Sequence, residues 1–160
     1  MTPARPFLLT ALCCLALMAC SRSAAQSDAS AAGTAFLAQN AKAADIHVTA
    51  SGLQDRILQS GPAAGAHPGD NDEVKVNYEG KLLDGQVFDS TYERGAPATL
   101  EVGGVIPGWQ EALKLMRPGD TWLIYLPATL AYGDQGAGPI PPGSTLVFKL
   151  ELIAIKPAGG

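Results

Sequence analysis

Beyond Cys20 the sequence contains no cysteine; all three, Cys13, Cys14 and Cys20, sit at its start. The body of the chain therefore carries no disulfide, although an oxidising compartment would permit one. Histidine is nearly as scarce. The only two are His47 and His67, neither with His, Cys, Asp or Glu neighbours at ligand spacing, so no metal site is expected. A Ser-His-Asp arrangement would have to recruit one of these two, and no G-x-S-x-G stretch occurs. No run of Lys and Arg interrupts the chain after Cys20, and the net charge is −4. The electrostatic footprint of a nucleic-acid binder is thus missing. Gly133 to Gly138 (GDQGAG) is glycine-rich but has no lysine after it, and reads as a flexible loop rather than a phosphate cradle. Whatever chemistry the chain performs is expected to need no metal, cofactor or nucleophile.

What is present is an ordinary globular balance, 47% hydrophobic and 16% charged, with 18 Gly and 12 Pro. A length of 160 residues suits one compact domain of short elements joined by tight turns. Arg5 and the apolar run Phe7 to Ala19 have the form of a signal peptide over residues 1–19. The run is shorter than the ~20 residues a spanning helix needs. It ends in Leu17-Met18-Ala19-Cys20, which resembles the bacterial lipobox, although Met18 departs from the usual small or β-branched residue. Lipidation at Cys20 is therefore expected, the alternative being a plain secretory signal. The expected location is the periplasmic face of the outer membrane, or the periplasm. Residues 20–48 are expected to hold the anchor, a disordered Ser/Ala tether over Ser21 to Ala35, and a short helix over Phe36 to Ala44.

The domain proper is expected over residues 49–156. Leu53 to Leu58 suits a first strand. Val74, Val76 and Tyr78 alternate with polar neighbours in the period of a half-buried strand. Asp84-Gly85 signals a hairpin with a type I′ turn, and Asp89 to Pro97 reads as irregular. Over Pro107 to Met116, Trp109, Ala112, Leu113 and Met116 share one helical face. Pro107 suits its start, and Pro118-Gly119 stops it. Thr121 to Leu126 is apolar on both faces and predicts a central strand. Ser144 to Ile155 predicts the last strand, with Leu146, Phe148 and Leu150 on one face. Together these elements indicate an α+β fold.

Three blocks, VKVNYEGKLLDGQVFDSTYERGAP, VIPGWQEALKLMRPGD and LAYGDQGAGPIPPGSTLVFKLELI, resemble the FKBP-type peptidyl-prolyl isomerases in order and spacing. The resemblance covers Gly52 to Ile155, about two-thirds of the chain. The preceding FLAQNAKAADIHVTASGLQ is similar to the macrophage infectivity potentiator branch. What this implies is a twisted antiparallel sheet wrapped around one short helix, with a pocket between them. Catalytic positions implied are Tyr78, Asp89, Trp109 and Tyr132; substrate-binding positions are Phe88, Arg94, Val105, Ile106, Ile140 and Phe148. Trp109 would form the floor under a proline ring. The Ile106 N–H and the Tyr132 hydroxyl would hold the peptide, and Asp89 would be tied to Tyr78 and Arg94.

The implied partners are proline-containing unfolded chains, with macrolides such as tacrolimus and rapamycin as further ligands and the membrane reached through the lipid. Ala98 and Leu100 stand where relatives often carry aromatics, and the Asp134 to Pro139 loop is slightly short. The stub helix is too small to carry dimerisation, so a monomer is expected. Two alternatives keep the fold: a chaperone-like peptide-binding module with the isomerase activity incidental, and a surface interaction lipoprotein that would not need the aromatic pocket.

Overall fold

The computed structural model describes residues 29–159. The segment expected to be a signal peptide and Cys20 lie outside the described residues. Helix α1 covers 29–40. The Ser/Ala stretch expected to run unstructured to Ala35 is thus helical from residue 29, and Ala41 to Ala44, expected in the helix, form turns instead. The reason is tertiary. Two turns of Ala-rich helix are marginal in water, but α1 lies on the sheet. Gln54 Nε2 donates to the Leu37 carbonyl at 2.9 Å, and Asn40 Nδ2 donates to Gln54 Oε1 at 2.9 Å. The Phe36 ring sits 5.8 Å from that of Tyr125.

Seven strands follow: β1 (His47–Val48), β2 (Gln54–Gln59), β3 (Glu73–Leu82), β4 (Val87–Ser90), β5 (Ala98–Glu101), β6 (Thr121–Leu126) and β7 (Leu146–Lys156). Two helices interrupt them, α2 (Thr91–Arg94) and α3 (Pro107–Leu115). The sheet runs β1-β2-β6-β7-β3-β4, with β5 pairing β3, and every pair is antiparallel. This is the α+β arrangement expected.

Alternation builds the core. Leu146, Phe148, Leu150 and Leu152 of β7 face inward with Val74 and Val76 of β3 and Trp122, Ile124 and Leu126 of β6. β6 is apolar on its other face too because α1 covers Tyr125 there. A bulge in β7 sets Val76 opposite Leu152 but Lys75 opposite Ala154. It changes the inward phase, so that Ile155 also packs on the core. The hairpin after β3 differs from the type I′ expectation. Gly85 alone has positive φ (+89°) at this turn, and the Gly85 N–H donates to the Leu82 carbonyl at 3.0 Å. That is a three-residue loop in which the glycine takes the left-handed position.

Helix α3 crosses the inner face of the sheet, burying Trp109, Ala112 and Leu113. Pro107 occupies its first turn, and the Met116 N–H closes its end on the Ala112 and Leu113 carbonyls. Gly108 lets it sit low. A Cβ there would fall 2.5 Å from Leu126 Cδ2 and 3.1 Å from the Leu130 carbonyl oxygen. Leu126 is fully buried and has nowhere to go. Gly108→Ala is therefore expected to destabilise the domain by about 1–3 kcal/mol, read as a lower urea midpoint with an unchanged m-value.

Candidate functional site

Between α3 and the sheet lies a cavity of about 150 Å³, lined by Tyr78, Phe88, Asp89, Leu100, Val105, Ile106, Trp109, Tyr132 and Phe148. Seven separate stretches deliver these side chains. β3 brings Tyr78, β4 brings Phe88 and Asp89, and β5 brings Leu100. The segment into α3 brings Val105 and Ile106, α3 itself Trp109, and β7 Phe148. Tyr132 follows a 3₁₀ turn at Ala128–Leu130.

Trp109 is 4% exposed. Its ring meets Tyr78 edge-on at 4.9 Å and Phe148 at 5.3 Å, and Phe148 meets Phe88 at 5.5 Å. Such edge-to-face contacts fix ring orientation as well as burying area. Gly80 makes the last of them possible, because a Cβ there would lie 2.6 Å from both the Phe88 and Phe148 rings. Gln110, on the next helical position after Trp109, donates to the Val105 carbonyl at 2.8 Å and the Gly103 carbonyl at 3.2 Å. It thereby holds the segment that carries Val105 and Ile106.

Polar groups collect at one end of the cavity. The Tyr78 hydroxyl donates to Asp89 Oδ2, and Arg94 Nη1 donates to Asp89 Oδ1. Arg94 Nη2 also donates to the Tyr78 hydroxyl at 3.0 Å, with the guanidinium 5.5 Å from the Tyr78 ring centre. Both carboxylate oxygens are thus engaged, an arrangement suited to a fixed charge rather than to a proton acceptor. Burial first, and the bond to Asp89 second, push the Tyr78 hydroxyl above its ordinary pKa. Hydrogen bonds to Tyr78 and then to Asp89 raise that of Arg94.

The stretch read as irregular turns out to build this corner. Ser90 caps α2 by accepting from the Glu93 N–H, and Gly95 ends the helix at φ +71°. One helical turn then aims Arg94 back at Asp89. Thr91, buried, accepts the Tyr78 N–H at 2.8 Å. Ser90 followed three residues later by Glu93 is the capping signature that would have revealed the helix.

Of the ten expected site residues, eight line the cavity. Arg94 acts through Asp89 and Tyr78 without lining it. Ile140, 7% exposed, is not among the residues that line the cavity. Its N–H and carbonyl are exchanged with Ala137 inside the loop after Tyr132. Leu100, noted only as a departure, is a wall residue.

The family model described as FKBP-type peptidyl-prolyl cis-trans isomerase matches residues 65–153, more than half of the chain. The chain belongs to that family. A second model, for the domain amino terminal to such isomerases, matches residues 14–57. The peptidyl-prolyl cis-trans isomerase Mip of Coxiella burnetii is 53% identical over 123 residues, 76% of this chain and 53% of that protein. The outer membrane protein MIP of Legionella longbeachae is 52% identical over 129 residues, 80% and 54% of the two chains. The chain spans about half the length of these curated relatives. The crystal structure of FkpA from Escherichia coli superimposes with a TM-score of 0.85 at 38% identity, over 90% of this chain and 67% of that one.

In this FKBP-type domain, the raised pKa of Tyr78 has a pH consequence. A group whose folded pKa lies above its unfolded value contributes stability that is complete below the unfolded pKa, near 10 for tyrosine. That contribution is lost as pH climbs through the folded value. Titration of Tyr78 followed at the tyrosinate absorbance is expected to lag behind that of a free tyrosine. Burial and then Glu151 hold the Tyr92 hydroxyl above its ordinary pKa as well, so Tyr78→Phe should remove one of two lagging components; a lag of unchanged amplitude in the variant would refute the assignment.

Proposed function

We propose that this chain accelerates cis–trans interconversion of X–Pro peptide bonds in unfolded or partly folded polypeptides, with no cofactor. The observation that carries the reading is the aromatic cavity floored by Trp109, with the one carboxylate on it, Asp89, held by Tyr78 and Arg94. The prolyl amide resists rotation because resonance gives its C–N bond double character, a barrier of roughly 18–20 kcal/mol. The planar amide has more charge separation than the twisted one. An apolar wall that strips water from the carbonyl therefore destabilises the planar state more, and each ~1.4 kcal/mol of difference gives about tenfold in rate.

We assign Trp109 as the floor for the proline ring, with Phe88, Tyr78 and Phe148 as walls and Val105 closing the side. The Ile106 N–H and the Tyr132 hydroxyl bind the peptide, and the Asp89 charge polarises the site near the substrate carbonyl. Leu100, in place of an aromatic, shapes sequence preference and any affinity for tacrolimus or rapamycin.

Uncatalysed exchange takes tens to hundreds of seconds, so protease-coupled or NMR exchange assays on a short Leu-Pro peptide are decisive. Micromolar protein is expected to shorten it plainly, with a rate nearly flat between about pH 6 and 8. Amide rotation moves no proton, so Asp89→Ala should lower kcat/KM by only ~10–1,000-fold, roughly 1.4–4 kcal/mol. No acceleration by the wild type overturns the function. A bell-shaped profile, or complete loss in a folded Asp89→Ala protein, overturns the mechanism.

The same reading places the protein outside the cytoplasm as a lipoprotein acylated at Cys20 and monomeric once the lipid is removed. It is supported by the sequence Leu17 to Cys20 and by similarity to a protein named as an outer membrane protein. Mass spectrometry of the membrane fraction should find a chain beginning at an acylated Cys20, and light scattering of the delipidated protein a monomer mass. An unmodified Cys20 would remove the anchor, and twice the monomer mass the monomer.

A further inference from the structure

Helix α1 lies outside the stretch matched by the isomerase family model, yet it reaches the segment that carries a cavity residue. Ala29, Ala32, Gly33, Phe36, Leu37 and Asn40 share one helical face by their spacing. At the far end, Asn40 and the Leu37 carbonyl are tied to Gln54 of β2. In the middle, Phe36 packs on Tyr125 of β6. At the near end Gly33 is buried against Thr145, so closely that a Cβ would fall 2.2 Å from Thr145 Oγ1 and 3.1 Å from its Cβ. Ala29 and Ala32 face Pro141, Ser144 and Thr145 across a shallow cleft.

Thr145 is the last residue of the loop that starts at Tyr132. The loop is closed at its base by the Gly143 N–H donating to the Gly133 carbonyl at 2.9 Å. Inside it, the Ile140 N–H donates to the Ala137 carbonyl at 2.8 Å, and the Gly136 N–H to the Tyr132 carbonyl at 3.2 Å. Ser144 Oγ donates to the Pro141 carbonyl at 2.7 Å. A continuous line of contacts thus runs from Gly33 through Thr145 and the Gly143–Gly133 bond to Tyr132. Tyr132 itself lines the cavity and is 39% exposed, at the rim. We propose that α1 is a brace for the Tyr132–Thr145 loop, and that Gly33 is a positioning residue which sets Tyr132 through Thr145.

The enzymatic half of this inference rests on the isomerase reading; the structural half does not. Gly33→Ala is the sharp probe, because alanine favours the helix itself and disturbs only its seat. Gly33→Leu is the forcing version. Amide hydrogen exchange on the full chain reports the loop directly at Gly136, Ala137, Ile140 and Gly143, with β3 and β7 amides as the control for global folding.

Gly33→Leu is expected to speed exchange in the loop and in α1 while β3 and β7 stay protected, and to lower kcat/KM on a Leu-Pro peptide ~3–10-fold. Gly33→Ala should do the same more weakly. Adding Thr145→Ala, which deletes the Oγ1 nearest the new methyl, should restore both readouts of Gly33→Ala. The brace is overturned if α1 amides open in Gly33→Leu but the loop amides do not. It is equally overturned if α1 stays protected, since the Gly33 contact would then not seat the helix. Altered loop exchange with unchanged turnover removes the positioning role. Should the wild type lack isomerase activity, the functional reading falls, and the exchange result still decides the brace.

Discussion

Pairing the long third strand with the last one fixes ten register positions, from Glu73 opposite Lys156 to Leu82 opposite Leu146. The cavity hangs on this ladder. Tyr78 stands opposite Leu150 and Gly80 opposite Phe148, so the ring that walls the cavity and the gap that admits it share one pair of residues. A slip of one residue would turn every inward side chain outward. The bulge at the far end of β7 lets the strand stay in phase with the core beyond Leu152. α3 then needs only one flat apolar face and a glycine at position 108 to close the cavity floor.

Much of this was legible in the residues, and the reasons differ by element. The α3 boundaries followed from Pro107, Pro118-Gly119 and a 3.6-residue apolar period, and β7 from strict alternation. β3 was recognised only through Tyr78, although it runs on to Leu82. Gly80 interrupts the pattern there because its missing side chain is filled by Phe88 and Phe148 from neighbouring strands. The extent of α1 was hidden for a similar reason. Ser and Ala give a weak local preference, and what settles the matter is a surface from β2, β6 and Thr145 that no local window contains.

The polar corner shows a different limit. Motif order identified Tyr78, Asp89 and Arg94 as a set, and the fold brings them together. What holds them was not visible as a set: Thr91 on the Tyr78 N–H, Ser90 and Gly95 bracketing one helical turn, and Gln110 gripping the segment that carries Ile106. These supports use side chains whose common sequence reading is a turn or a solvated helix face. Ile140 marks the opposite case: family position suggested a binding role, and the fold leaves it off the cavity lining, with its backbone exchanging hydrogen bonds with Ala137.

The interlocking of rings has an evolutionary side. Trp109, Tyr78, Phe148 and Phe88 touch one another in series, so replacing any one of them disturbs its neighbours, and the gap at Gly80 admits no larger residue. β5 is different. It pairs with β3 alone, and it offers the cavity a single aliphatic side chain, Leu100, with Ala98 beside β3 at Val76. Sequence drift along that short strand can remodel the mouth while the floor stays as it is. Changes along that one edge therefore reshape the cavity mouth at Leu100 without disturbing the interlocked rings or the ladder beneath them.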